Sequence, residues 1–226
     1  MRLELIQGIQ IIIIALLSYI PTVTLTGWFE AWAAKKCGDD VPEQFGFLTL
    51  DPMAHFNVVG FGFLLVGKLF GDYLPFFKDI PGWGRYMPLN PSEGGGWKVV
   101  FQFTARAIAH FVLLLTAFFT FVLLSKGSNF AAFGYALQPG SSLLDSLLVV
   151  LIFFYEQNKI FCIIYFVIGI FRSILFFYFP NFHLFSTENM LWVIFILVAS
   201  VILGSYIVGF ILDSIMALLS YIFIAQ

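Results

Sequence analysis

The chain has 226 residues, of which 61% are hydrophobic and only 11% are charged. A soluble domain could not bury that much apolar surface, and several apolar runs reach the roughly 20 residues that cross a bilayer. The net charge of -2 gives no sign of a nucleic-acid partner. Cys37 and Cys162 lie far apart and predict two plain thiols. We therefore expect one integral, multi-pass domain over residues 1–226, whose partner is the lipid bilayer.

The first predicted element is an uncleaved transmembrane helix close to the N-terminus. Its apolar run is long, and no small-residue cleavage site of a signal peptide follows it. Glycine is the residue that most often terminates a helix in a left-handed conformation. We therefore predict that this helix continues past Trp28 to Lys36 and stops at Gly38.

A short polar segment over residues 39–54 separates the first apolar run from the second. The spacing of QFGF and LTL in this segment is typical of strands and predicts an extended hairpin that supplies an edge strand. The next run, residues 56–77, is rich in Gly and is interrupted by Lys68 and Asp72, so it predicts a short or partly re-entrant helix. Residues 78–98 form a loop dense in Pro and Gly.

The second half of the chain alternates apolar and polar stretches. Residues 143–155 are too short to span comfortably, and the polar residues 156–159 predict a break before the next full span. The remaining apolar stretches cover residues 99–125, 160–179 and 189–225. The expected fold class is an all-α polytopic membrane protein with about five or six transmembrane helices and one edge strand.

Two loop motifs carry a resemblance to a known family. The first motif follows Ala31-Trp32 and reads KCGD at residues 36–39 and LTLDPMAH at residues 48–55; the second reads GWGRYMPLNP at residues 82–91. In this order and spacing they resemble the site-2 protease-like intramembrane zinc metallopeptidases. The resemblance implies a helical core with a substrate groove, in the cytoplasmic (inner) membrane if the source is bacterial. The candidate groove residues are Glu30, His55, Asn57, Pro88, Asn90, Arg106, His110 and Arg172.

The zinc motifs of that family are missing. The family's His-Glu-x-x-His places two ligands and a general base on one helix face. Aligned by the loop motifs, Thr26, Gly27 and Glu30 stand at the first His, the Glu and the second His, and the later Leu-Asp-Gly motif is absent. A catalytic zinc needs three protein ligands and one open position. We therefore expect no intact catalytic residues, no cofactor and no ordinary proteolysis.

Three ionisable residues fall within or at the end of apolar spans, where such groups usually face a partner or water. They are Glu30, Arg106 and Arg172, and the resemblance implies that their three regions converge on the metal site. Our hypothesis is that an arginine, Arg106 first, occupies the place of the metal and pairs with Glu30. The alternative is that the three side chains reach the interface separately by snorkelling.

The three histidines have separate predicted roles. His110 lies one turn after Arg106 and either lines the same cavity or is a hydrogen-bonded packing residue. His55 is predicted to position its loop through hydrogen bonds to the backbone, and His183 to lie at the interface. Asp213 is read as a helix-packing or cavity residue.

Three functions remain open from the sequence. The first is a non-catalytic site-2 protease-like protein, a pseudoprotease that binds transmembrane or unwound segments of client proteins. The second is an active zinc enzyme with an unusual ligand set drawn from Glu30, His55 and His110. The third is an unrelated small transporter or structural membrane subunit, for which the two matched loops would be coincidence.

Overall fold

A computed structural model describes residues 2–74, 80–91, 95–125 and 143–178, together with Phe210 and Ser214. Its helices in chain order are α1 (Arg2–Cys37), α2 (Val41–Gln44), α3 (Pro52–His55), α4 (Val58–Phe70), α5 (Gly96–Ser125) and α6 (Leu143–Tyr178). The polar connector 126–142, the apolar tail 189–225 apart from Phe210 and Ser214, and His183 lie outside the described residues, and so does Asp213.

Three of the helices are long and apolar enough to cross a membrane. The qualifying stretches are Gly8–Cys37 in α1, Gly96–Leu124 in α5 and Ser146–Tyr178 in α6, and these three helices pack against one another. Each exceeds the roughly 20 residues that the hydrocarbon core requires. The predicted class of helical membrane protein is therefore confirmed, whereas five or six spans are not.

Helix α1 ends as its sequence predicts, and the polar segment after it does not fold as predicted. The helix stops at Cys37, and Gly38 has a positive φ of 96°. Residues 39–57 contain no strand. A proline lies in the first turn of the short helix α2 and another begins α3, where Asp51 Oδ1 accepts from Met53 N at 3.0 Å. Proline suits the first turn because its missing N–H has no partner there. The extended hairpin is therefore not confirmed.

Helix α4 is short and lies along the first half of α1. Its 13 residues reach about 20 Å at 1.5 Å per residue, well below the 30 Å of a bilayer core. Tyr19 packs against Leu64, while Leu69 approaches Gly8, so α4 runs antiparallel to α1. The predicted short helix is present.

The predicted break at residues 156–159 is wrong, because α6 continues through it without interruption. Gln157 and Asn158 are buried and hydrogen-bonded, and Lys159 pairs with Glu156 at 3.1 Å. Polar residues need not end a membrane helix when neighbouring segments satisfy them. Local composition predicts a break here because it cannot reveal partners that are distant in sequence.

Candidate functional site

The two loop motifs meet at the end of α1, where Asp39 joins them. Its Oδ2 accepts a hydrogen bond from the backbone N–H of Asn90 at 2.6 Å and another from the side chain of Gln102 on α5. Its Oδ1 accepts from Val41 N at 3.0 Å, which orients the chain into α2. One buried carboxylate therefore fixes the first motif, the second motif and a membrane helix relative to one another.

A second junction lies at His55. Its carbonyl oxygen accepts from Arg85 N at 2.8 Å, and its Nε2–H donates to the Thr49 carbonyl at 2.8 Å. The ring packs so closely on α1 that a Cβ at Gly27 would overlap Nδ1. Burial lowers the pKa of His55, so the neutral ring is favoured. The predicted role of His55 in positioning its loop by backbone hydrogen bonds is confirmed.

Residues 80–91 run along α1 without forming a helix or a strand. Tyr19 on α1 donates its hydroxyl proton to the Trp83 carbonyl at 2.6 Å, and Met87 packs further along on Ala31. Gln157 Nε2 donates to the Pro81 carbonyl at 2.8 Å. Side chains of two membrane helices therefore supply the hydrogen bonds that secondary structure would otherwise give this segment.

Both loop motifs contact the middle of the membrane-length stretch of α1. The membrane-length stretch of α1 covers residues 8–37, and any roughly 20 consecutive residues chosen from it include residues 18–27. A register in which α1 spans the bilayer within this stretch therefore places Tyr19 and Gly27 in the hydrocarbon core or at its edge. Trp83 and His55 contact these two residues. Non-helical backbone at this depth is tolerated only under protein or beside a water-filled cavity.

Several residues of the two motifs are nevertheless exposed, and we call this set the loop face. It consists of Leu50, Asp51, Met53, Arg85 and Tyr86. Met53 is 70% exposed and Tyr86 53% exposed, and Asp51 and Arg85 carry opposite charges. Charged side chains at membrane depth rarely face lipid. The loop face therefore has the character of a surface that water or another protein segment covers.

Glu30 of α1 and Arg106 of α5 form a buried ion pair. Arg106 Nε lies 2.6 Å from Glu30 Oε2, at an angle outside that of a hydrogen bond, and neither atom has a hydrogen-bond partner among the described residues. Arg106 Nη1 donates to the Tyr165 hydroxyl on α6 at 3.3 Å. The hypothesis that Glu30 pairs with Arg106 is confirmed, and separate snorkelling of these two residues is wrong.

Arg172 does not share that ion pair. Its guanidinium carbon lies 4.3 Å from the centre of the Phe103 ring, which fits a cation–π contact between α6 and α5. The two helices approach so closely there that a Cβ at Gly169 would lie 2.5 Å from the Phe103 carbonyl oxygen.

One turn along α5, His110 joins a second polar network. Asn158 Nδ2 donates to Thr22 Oγ1 at 3.1 Å and to the Phe154 carbonyl at 2.7 Å, so its Oδ1 faces His110. His110 Nδ1 lies 2.8 Å from that oxygen and must therefore carry the proton. The ring also stacks on Tyr165 with an interplanar angle of 5°. His110 is thus a hydrogen-bonded packing residue, as one of its two predictions states.

The residues at the zinc-motif positions do not fit a zinc ion. Thr26 Oγ1 donates to the Thr22 carbonyl at 2.8 Å, Gly27 has no side chain, and the Glu30 carboxylate is neutralised by Arg106. Among the described residues, no three His, Cys, Asp or Glu side chains converge in a group that could hold a metal. A catalytic zinc requires three ligands, and Thr26, Gly27 and Glu30 do not supply them.

Two other predicted groove residues, Asn57 and Pro88, contribute to the local fold. Asn57 caps α4, its Oδ1 accepting from Gly60 N at 2.8 Å, and Pro88 is partly buried in the segment beside α1. The sequence analysis did not identify Tyr19, Gln157 and Asn158 as residues that connect the helices and the second loop motif. For Gln157 and Asn158 a signal was available, because a side-chain amide inside an apolar span is costly unless it meets a hydrogen-bond partner.

Comparison of the chain with protein-family models, with curated proteins and with solved structures finds no match. The resemblance in the loop motifs therefore remains a prediction.

Proposed function

We propose that this chain is a non-catalytic site-2 protease-like membrane protein that holds a transmembrane or unwound segment of a client protein against its loop face. The observation that carries the proposal is the exposed loop face, whose two motifs contact α1 at Tyr19 and Gly27, within its membrane-length stretch. Because lipid cannot satisfy backbone polar groups, another segment or water must cover this surface. An extended segment can be covered by addition of a strand, which uses main-chain hydrogen bonds.

The loss of catalysis follows from what occupies the motif positions. A general base and two ligands would have to arise from Thr26, Gly27 and Glu30, and the only carboxylate among them faces a guanidinium 2.6 Å away. The proposed relation to the family rests on the order and spacing of the two loop motifs in the sequence. Further spans and residence in an inner membrane belong to the same proposal.

Site-specific photocrosslinking tests the client surface. A benzophenone amino acid replaces Met53, 70% exposed on the loop face, or Val112, 54% exposed in the middle of α5. The protein is reconstituted in liposomes with a fluorescein-labelled Leu/Ala transmembrane peptide that carries a central Gly-Pro pair to weaken its helix. We expect saturable crosslinking at Met53 and only background at Val112. Equal labelling at the two positions would refute a specific client surface.

The same reconstituted protein also distinguishes a non-catalytic client-binding protein from an active zinc protease. We expect the peptide to be recovered intact by mass spectrometry, and the purified protein to contain far less than one zinc per chain by elemental analysis. Cleavage that a chelator abolishes, together with stoichiometric zinc, would establish the atypical enzyme. Solute flux through the liposomes without peptide crosslinking would instead favour a transporter.

A further inference from the structure

A charged side chain of α6 is exposed close to the middle of the bundle. The 30-residue stretch of α1, Gly8–Cys37, rises about 45 Å at 1.5 Å per residue, which matches the 40–45 Å of a bilayer with its headgroups. Thr22 lies at the middle of this stretch, and Asn158 of α6 donates to its hydroxyl. Glu156 precedes Asn158 by two residues, so it lies near the same depth. Its side chain is 45% exposed and pairs with Lys159 at 3.1 Å.

Exposed aromatic side chains mark the two ends of the bundle and support this depth. Trp97 at the start of α5 and Tyr178 at the end of α6 are 71% and 75% exposed, and Tyr73, which follows α4, is 85% exposed. The start of α5 is joined to the end of α1 through Asp39, whereas the end of α4 lies beside Gly8. Trp and Tyr concentrate at the two membrane–water interfaces. The middle of α1 and the Glu156 level therefore lie between the two interfaces.

A second polar group close to Glu156 has an unmet need for a hydrogen-bond donor. Gln157 is 5% exposed, and its Nε2 donates to the Pro81 carbonyl at 2.8 Å. Its Oε1 is buried without a hydrogen-bond partner among the described residues. A buried acceptor without a donor is unfavourable, and buried water commonly supplies the donor. The exposed Glu156 carboxylate indicates water for a separate reason, because charged side chains at this depth face a protein interior or a water-filled cavity.

Further charged residues lie between this level and the surface beyond α4. Phe153, Glu156 and Gln157 are three and four residues apart, so they share one side of α6. Lys68 of α4 places its Nζ 5.1 Å from the centre of the Phe153 ring, so α4 faces this side. Asp72 follows Lys68 by about one turn and is exposed beyond the end of α4. Polar side chains therefore occur at successive depths along α4 and α6.

We infer that a water-filled lane between α4 and α6 admits water and small hydrophilic solutes from the surface beyond α4 to Gln157. The polar lane consists of Asp72, Lys68, Glu156 and Gln157. It ends at Asn158, which is fully buried and hydrogen-bonded to other helices. The polar lane shares no residue with the loop face, so the inference goes beyond the proposed function and stands or falls independently of client binding.

Thiol labelling tests the polar lane in the full chain, reconstituted in sealed phosphatidylcholine liposomes. With Cys37 and Cys162 replaced by Ala, single cysteines are introduced at Glu156, at the exposed Asp72, and at Val112. A membrane-impermeant methanethiosulfonate cation reacts with the thiolate, which forms where water reaches the sulfur. We expect Glu156→Cys to react at a rate within about tenfold of that of Asp72→Cys, and Val112→Cys to react at least about a hundredfold more slowly.

Val112→Cys is the matched control. Val112 is 54% exposed on α5 and lies two residues from His110, which contacts Asn158, so it has the exposure and depth of Glu156 without polar neighbours in the lane. Fast reaction at Val112→Cys would overturn the inference, because water would then reach any exposed surface at this depth. In liposomes with a preferred protein orientation, the fraction of Glu156→Cys labelled from outside should equal that of Asp72→Cys. A fraction equal to that of Lys36→Cys, at the opposite end of the bundle, would also overturn it.

Pro81→Cys is a second probe, because it leaves the Glu156–Lys159 pair intact. It should react as fast as Glu156→Cys, and it decides the test if circular dichroism shows that Glu156→Cys has lost its helices. Slow reaction at both positions would overturn the polar lane. Fast reaction at Pro81→Cys beside slow reaction at a folded Glu156→Cys would overturn its extension to α6.

Discussion

The two halves of the bundle formed by α1, α5 and α6 are held together by different forces. In one half, α5 and α6 pack through Leu114, Ala117, Phe118 and Tyr155, all buried. In the other half, buried polar side chains connect the three helices, with the Glu30–Arg106 pair and the hydrogen bond between Asn158 and His110 among them. Lipid tails are as apolar as leucine, so apolar packing discriminates weakly between helix registers, whereas a polar contact made only in one register fixes it.

The largest expected effect on stability comes from removing one partner of the Glu30–Arg106 ion pair. Arg106→Met leaves the Glu30 carboxylate buried beside an apolar side chain, since no other hydrogen-bond partner lies at Oε2 among the described residues. We expect the free energy of unfolding to fall by about 3–5 kcal/mol. Unfolding in mixed detergent micelles, followed by circular dichroism over an SDS titration, measures it.

The double variant Glu30→Leu with Arg106→Met is the control, because it removes both charges. It should recover most of the lost stability, since a buried ion pair replaced by apolar side chains is often neutral. A double variant as unstable as the single one would mean that packing volume, not charge, dominates this half of the bundle.

The next effect concerns the contact between α4 and the second loop motif. A Cβ at Gly60 would overlap the backbone of Trp83, whereas one at Gly62, also on α4, would meet nothing within 4 Å. We expect Gly60→Ala to cost about 1–3 kcal/mol, as overpacked sites do. Gly62→Ala should be neutral or slightly stabilising, because alanine favours the helix. Equal stabilities of the two variants in the same titration would contradict this packing.

A smaller loss should follow from removing the amide that joins three helices. Asn158→Leu deletes hydrogen bonds to His110 and Thr22, each worth about 0.6 kcal/mol on average in a membrane protein. We expect a total loss of about 1–2 kcal/mol. Ile163→Leu, a buried apolar exchange on the same helix, should cost less. If the two substitutions had equal effects, the polar network would add nothing to apolar packing.

The smallest effect is a pH dependence from His55. Burial lowers its pKa in the folded protein below the usual value near 6.5, so the unfolded chain binds more protons as the pH falls past that value. The free energy of unfolding should therefore keep its full value above about pH 6.5 and decrease towards lower pH. The difference between unfolding at neutral and acidic pH should be smaller in His55→Gln. An unchanged difference would exclude His55 as the titrating group.

The sequence by itself determined the features that depend on local composition. Apolar length predicts α1, α5 and the later part of α6, and Gly38 ends α1 as a left-handed residue should. The cost of isolated charges in a membrane makes Glu30 conspicuous and favours a partner for it, whereas the choice of Arg106 as that partner came from the resemblance.

Only the tertiary structure decided how polar residues in the second half would behave. Asn158 continues a helix because Thr22, 136 residues earlier, and His110, 48 residues earlier, satisfy its amide. Residues 39–57 fold as short helices around Asp39 and His55 rather than as a hairpin, because their hydrogen-bond partners lie on distant segments. Local spacing cannot reveal such partners, and in a membrane the presence of a partner decides whether a polar group ends a helix or stabilises it.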